Sequence, residues 1–290
     1  MDAPLCLFTL LYAPREEHDR ILADFATPVA RDLRNAPELH SLFFARYNVP
    51  RWQVRFRVLG QPDWVAGPVR DRVERALEPL QAAGAVEGIE FAQYDRELER
   101  YGGEEGMALA EKLFLHDSLA CLDLLAAERQ GQLLKSRREV SLLMTEQLLD
   151  LLGLDRAQRL AFYAHGYRWT REMGTWSEAD LATIEQKYQS LKTGLQDLFT
   201  GEPSRDPLLL WGGEAPARIA ERWREGSRPV ARAIREAHDA GRLGQGLIEL
   251  AWSYAHMSCN RLGIDPTPEA LLRYFLHRLY EDGGGPPAGS

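Results

Sequence analysis

Along the first hundred residues, short apolar or alternating runs are interleaved with longer runs whose apolar positions recur every three or four residues. The short runs cover 5–12, 41–49, 52–59 and 88–94, and the longer ones 15–36 and 64–83. The predicted order is β-α-β-β-α-β, the connectivity of a ferredoxin-like split βαβ unit. Between the middle strands, Asn48-Val49-Pro50-Arg51 predicts a hairpin turn, because Pro50 has no N–H to give to a sheet ladder. Side chains alternate across a strand, so Val54, Phe56 and Val58 share one face of 52–59 while Gln53, Arg55 and Arg57 share the other.

After Gly103 the pattern turns almost wholly helical. Helices are predicted over 106–130, 137–152, 156–169, 178–199, 215–240, 244–262 and 268–280. Ser177 stands before Glu178 as an N-cap, Thr267 precedes Pro268 at a first helical position, and Gly283-Gly284-Gly285 follows the last helix. Residues 201–213, with Pro203 and Pro207, read as the main internal loop. The expected class is α+β: a ferredoxin-like portion over 1–103, a mostly helical portion over 104–282 packed with it as one intimate unit, and a flexible tail over 283–290.

Composition narrows the function. A chain of 290 residues with 45% hydrophobic and 27% charged side chains buries a substantial core. A net charge of -8, with Lys and Arg interleaved among Asp and Glu, argues against a general nucleic-acid binder. Cys6, Cys121 and Cys259 lie far apart, so neither a zinc site nor a disulfide framework is indicated, and a reducing cytoplasm fits. The apolar start has no basic leader, and no apolar run is long enough to span a bilayer. Dinucleotide-binding, phosphate-loop, nucleophile-elbow and zinc-helix motifs are missing from the sequence. No cofactor and no metal are expected.

Three polar constellations interrupt the apolar pattern. In Gln53-Val54-Arg55-Phe56-Arg57, the arginine face reads most simply as a solvated, edge-protecting face. Two adjacent arginines nonetheless repel unless an anion lies nearby. In Glu97-Leu98-Glu99-Arg100-Tyr101-Gly102-Gly103, Glu97 and Arg100 are spaced to pair on a helical turn, and the glycines permit a sharp change of direction. A surface ion pair explains this as well as catalysis does. In the late helix, Trp252, Ser253, His256 and Asn260 form a polar stripe beside a core stripe. There His256 is either a buried histidine satisfied by Asn260 or a carbonyl, or a proton-transfer group. His116 and Asp117, after the apolar stripe Met107, Ala110, Leu113 and Phe114, are minor candidates.

Taken in order, Phe43-Phe44-Ala45-Arg46-Tyr47 through Arg57, Glu97 to Gly103 with the helix to His116-Asp117-Ser118, and His256-Met257-Ser258-Cys259-Asn260-Arg261-Leu262-Gly263 resemble the carboxy-terminal domain of class I lantibiotic dehydratases. That family includes stand-alone thiopeptide-type bacteriocin biosynthesis proteins. The resemblance spans nearly the whole chain. It implies an enzyme of ribosomal peptide modification, a lyase that eliminates glutamate from glutamylated Ser or Thr of a precursor peptide to leave dehydroalanine or dehydrobutyrine. The implied partners are the ribosomally made precursor and a separate glutamyl-tRNA-dependent glutamylation protein, for which this chain leaves no room. No direct nucleic acid and no membrane are implied.

By motif position, the resemblance maps the elimination residues onto Arg55, Arg57, Glu97, Arg100 and His256, with Arg46, Gln53, Asn260 and Arg261 as substrate contacts. Gln53 departs from the His that relatives often carry there. On this mapping, Arg55 and Arg57 hold the glutamyl group or developing charge, Glu97 orients Arg100 against the leaving carboxylate, and His256 moves a proton. The group that removes the Cα proton is left open. An alternative on the same scaffold is a thiopeptide pyridine synthase joining two dehydroalanines by a formal [4+2] aza-cycloaddition. A third reading is a noncatalytic peptide-binding scaffold.

Overall fold

In the computed structural model, which describes residues 4–172, 176–199 and 207–285, four strands form one antiparallel sheet in the order β2-β3-β1-β4. They are β1 (Leu5–Tyr12), β2 (Leu39–Tyr47), β3 (Gln53–Gly60) and β4 (Gly88–Ala92). Helical segments α1 (15–33) and α2 (62–82) make the two crossovers. The sheet order and connectivity are those of the expected ferredoxin-like unit. Each crossover contains a π turn, Leu22–Ala26 or Val65–Val69, beside Pro28 or Pro68, whose missing N–H removes one link of the α-helical ladder.

Both faces of the sheet are covered. α1 packs on the face bearing Val54, Phe56 and Val58, with the Phe25 and Phe56 rings 5.1 Å apart. The other face receives α3 (Glu104–Arg129), where Phe114 meets Phe43 at 5.4 Å. The solvated arginine face that strand alternation suggested is therefore corrected: a two-face alternation does not reveal that a later helix will lie on the polar side. The chain reaches α3 through Gly102 and Gly103, at φ 82° and 97°, in the left-handed region that glycine adopts without steric cost.

The remaining helices are α4 (Arg137–Leu151), α5 (Arg156–Glu172), α6 (Glu178–Phe199), α7 (Pro207–Trp211), α8 (Glu214–Asp239), α9 (Leu247–Arg261) and α10 (Pro266–Glu281). α7 stands where a loop was expected, while 201–206 and 286–290 lie outside the described residues. The last helix opens at Pro266 with Asp265 as its cap, one Pro earlier than expected, and the Asp265 carboxylate is held by Arg15. Sheet and helices share one buried apolar cluster running from Leu7 to Tyr280. Among the described residues no helix is long and apolar enough to cross a membrane.

α9 is pinned to the edge strand β2 by its last turn. The Asn260 carboxamide accepts from the Arg46 N–H at 2.8 Å and donates to the Arg46 carbonyl at 2.7 Å, as another strand would. Arg261, fully buried, donates to the Phe44 carbonyl at 2.9 Å and to Asp117 at 2.6 Å. These contacts place His256, one turn upstream of Asn260, beside the end of the sheet.

Candidate functional site

Strand register sets the first part of the site. Arg57 lies directly opposite Phe8 on β1 and Phe43 on β2. Its guanidinium sits 4.0 Å and 5.4 Å from those ring centroids and 5.0 Å from Tyr94. Arg57 is only 9% exposed, and among the described residues it has no carboxylate partner and an unbonded Nε. Aromatic faces attract the cation but do not neutralise it. Burial holds its pKa below the ordinary arginine value, against the opposing pull of Tyr94 and Cys6. Arg55 stacks over Tyr47 at 3.7 Å and donates to Gln53 Oε1 at 3.3 Å; Gln53 itself is buried and donates to the carbonyls of Val49 and Arg51.

The second motif folds as a turn whose side chains reach α9. Arg100 pairs with Glu97 at 2.9 Å and donates to Ser253 Oγ at 3.4 Å, which joins residues 153 positions apart. Burial alone would lower Arg100, but Tyr101 and Glu97 outweigh it and raise its pKa. Tyr101 stacks on Tyr254 at 5.7 Å, fixing the turn against the same helix. The ion pair, which its spacing alone explains equally as a surface feature, thus links the turn to the helix that carries His256.

His256 is held by Trp252 of its own polar stripe and by two groups of α10, Glu269 and Arg273, that the sequence motifs did not single out. Its ring stacks on Trp252, with centroids 5.3 Å apart and planes 2° from parallel. Its Nδ1 lies 2.7 Å from Glu269 Oε2, and Arg273 donates to the other Glu269 oxygen at 2.8 Å. Burial alone would raise the Glu269 pKa, but Arg273 and His256 together hold it below the usual carboxylate range. An ionised carboxylate only accepts, so Nδ1 carries a proton and a neutral His256 presents its lone pair at Nε2. The signal in the sequence was the Glu269–Arg273 spacing of four on a helix, which names a pair but not its histidine.

A cleft of about 560 Å³ opens along this region, lined by His256, Arg46 and Asn260 together with His18, Trp52 and Arg137. A narrower recess of about 40 Å³ holds Arg57, Glu97, Tyr94 and Tyr101. Tyr47 and Met257 line both spaces, so the recess and the cleft share a wall. Arg46 pairs with Asp19 at 2.7 Å while lining the cleft, whereas Arg261 is turned into the core and lines neither space. His18, fully buried beside Arg46, has its pKa pushed down to about 4 by burial and by that charge. His116 and Asp117 lie away from the cleft, on the helix that faces α8 and α9. Among the described residues no three His, Cys, Asp or Glu side chains gather as metal ligands.

The model of the lantibiotic biosynthesis dehydratase C-terminal family matches residues 7–280. The chain belongs to this family. Over 160 residues it is 28% identical to the subtilin biosynthesis protein SpaB of Bacillus subtilis, covering 54% of this chain and 15% of SpaB. Its fold is similar to the tRNA-dependent lantibiotic dehydratase MibB from Microbispora sp. 107891, with TM-score 0.73, 23% identity, and coverage of 96% of this chain and 28% of MibB. The chain thus spans a minor part of both SpaB and MibB. It is also similar in fold to TsrL, with TM-score 0.68, 18% identity and coverage of 96% and 95% of the two chains. The pyridine synthase TbtD from thiomuracin biosynthesis gives TM-score 0.68, 14% identity and coverage of 97% and 98%.

Proposed function

We propose that this protein eliminates glutamate from glutamylated Ser or Thr of a precursor peptide. The observation that carries the reading is the meeting of an unneutralised buried arginine, an arginine–carboxylate pair and a histidine of fixed tautomer around Tyr47 and Met257. An anion entering the recess would give Arg57 the partner that the protein does not supply.

In the elimination, a base takes the Cα proton, the electron pair forms the Cα–Cβ double bond, and the Cβ–O bond breaks with departure of a glutamate carboxylate. His256 Nε2 is the proton acceptor in this scheme, and Glu269 stabilises the imidazolium that forms. Arg57 holds negative charge on the glutamyl group or the peptide carbonyl, with Arg55 beside it, and Arg100, oriented by Glu97, steadies the departing carboxylate. Arg46 and Asn260 border the space where the peptide lies, and Gln53 positions Arg55.

Mass spectrometry of a purified Ser-glutamylated precursor peptide incubated with the protein tests this reading. Loss of glutamate that vanishes in His256→Ala supports it, and persistence of the glutamylated peptide with the folded parent protein overturns it. A second reading, aza-cycloaddition between dehydroalanines, draws support from the near end-to-end coverage of the pyridine synthase TbtD. Ring formation from a peptide with preformed dehydroalanines would favour it.

A further inference from the structure

An apolar pocket lies apart from the cleft beside His256. It opens to about 400 Å³ between the start of α4, the second half of α6 and the first half of α10. Leu142 comes from α4, Leu195 and Leu198 from α6, and Leu271, Leu272 and Phe275 from α10. No residue of this pocket lines the cleft or the recess of the candidate site.

Two features separate it from ordinary helix packing. Gly194 lines the pocket, and a Cβ added there would meet no atom within 4 Å, so the helices have not closed on one another at this point. The polar margin is basic. Arg138 and Lys187 are exposed and have no ion-pair partner among the described residues, whereas Glu139, the single lining carboxylate, is already held by Ser136 and Lys135.

The chemistry of the walls narrows the occupant. Leucine and phenylalanine offer no hydrogen bond, so an extended peptide or a sugar laid against them would give up water on its polar groups and gain no partner. A helix satisfies its own backbone, but a single turn about 10 Å across and about 5.4 Å tall fills roughly 420 Å³, the whole of the space. A hydrocarbon chain leaves nothing unpaired there, and one anionic head answers the two cations at the margin. The volume falls within the range of about 300–1,000 Å³ usual for small-molecule sites. We propose that this pocket binds a single-chain fatty acid of medium length, with its alkyl chain among the leucines and its carboxylate at Arg138 and Lys187. The proposal does not depend on the elimination chemistry.

Isothermal titration calorimetry of the full chain with octanoate, decanoate and dodecanoate, each below its micelle concentration, tests it. Affinity is expected to rise about fourfold per added methylene, as for hydrocarbon leaving water. Dodecylammonium should bind about tenfold more weakly than dodecanoate, because its head meets like charge. Gly194→Trp is expected to weaken dodecanoate at least about tenfold without lowering thermal stability, since tryptophan is a better helix former than glycine and open space receives it. Arg138→Gln/Lys187→Gln alters only exposed side chains, and should weaken decanoate roughly fivefold while leaving decanol unchanged. Absence of binding by all three acids, an affinity that does not grow with chain length, or parent-like dodecanoate binding by Gly194→Trp overturns the proposal. A leucine-rich synthetic helix that binds more tightly than dodecanoate, and is lost in Gly194→Trp, also overturns it in favour of a protein partner. Elimination from a glutamylated peptide is a separate readout, expected to be equal in parent and Gly194→Trp, and its failure in both would leave the titrations decisive.

Discussion

Glu269→Gln isolates the group that fixes His256. Glu269 accepts from two donors at once, His256 Nδ1 at 2.7 Å and Arg273 at 2.8 Å. Glutamine keeps the shape but offers one carbonyl and one amide. Arg273 has no acceptor capacity, so the carbonyl turns to Arg273 and the amide N–H is left facing Nδ1. The imidazole then accepts at Nδ1 and carries its proton on Nε2, the reverse of the tautomer needed to take a proton there.

A wrong tautomer of this kind costs a catalytic histidine on the order of 10²- to 10⁴-fold in rate. Stability also falls, because Arg273 is 3% exposed and loses its counter-charge. Breaking a buried pair costs about 3–5 kcal/mol, and the retained carbonyl contact brings the expected loss towards about 3 kcal/mol. That corresponds to a melting temperature lower by roughly 5 °C in a chain of 290 residues. The assay is single-turnover elimination from a glutamylated peptide, read by mass spectrometry at a temperature where both proteins are folded. Ring-nitrogen NMR of His256 reads the tautomer directly. A variant that turns over within about threefold of the parent, or one with the parent tautomer, refutes the reasoning.

Arg57→Met replaces a buried, unneutralised guanidinium by an apolar side chain between Phe8 and Phe43. Thermal unfolding should show no loss, or a gain of about 1–2 kcal/mol, while elimination falls about 10²-fold or more; a destabilised but active variant would contradict this. Asn260→Ala removes both hydrogen bonds to the Arg46 backbone, and denaturant unfolding should report a loss of about 2 kcal/mol, with an unchanged midpoint counting against the strand-like role of that carboxamide. His18 binds its proton in the unfolded chain near the ordinary 6.5 and in the folded protein only near 4. Its contribution is therefore fully present above pH 6.5 and is lost as pH falls towards 4, up to about 3 kcal/mol. Urea titrations across that range should show the slope in the parent and a flatter one in His18→Phe; identical slopes would remove His18 as its source.

Much of the architecture was legible because it is local. β1 and α6 fall at their expected residues, the other expected elements shift by a few positions, and α7 is an addition within the expected loop. The last helix shows where local signals compete: Pro266 and Pro268 are both acceptable first residues, and the earlier one opens the helix. The three motifs were visible as residue types in apolar surroundings. Their partners were not, because nothing along the chain marks Glu269 and Arg273 beyond a spacing of four on a helix, or Tyr47 beyond its place at a strand end.

The sequence by itself determined the alternation of strand and helix and the two faces of β3. It also placed the arginines, the carboxylate and the histidine within those elements. Backbone geometry imposes periods of two and 3.6 over a few neighbouring residues, so these features are written locally. Tertiary structure alone decided that α3 covers the arginine face, leaving Arg57 buried among Phe8, Phe43 and Tyr94. It alone brought Arg100 to Ser253 and Glu269 to His256, since such meetings depend on how whole helices pack against the sheet. A buried charge must be compensated by whatever packing brings near it, and that neighbour is not encoded in the residues beside it along the chain.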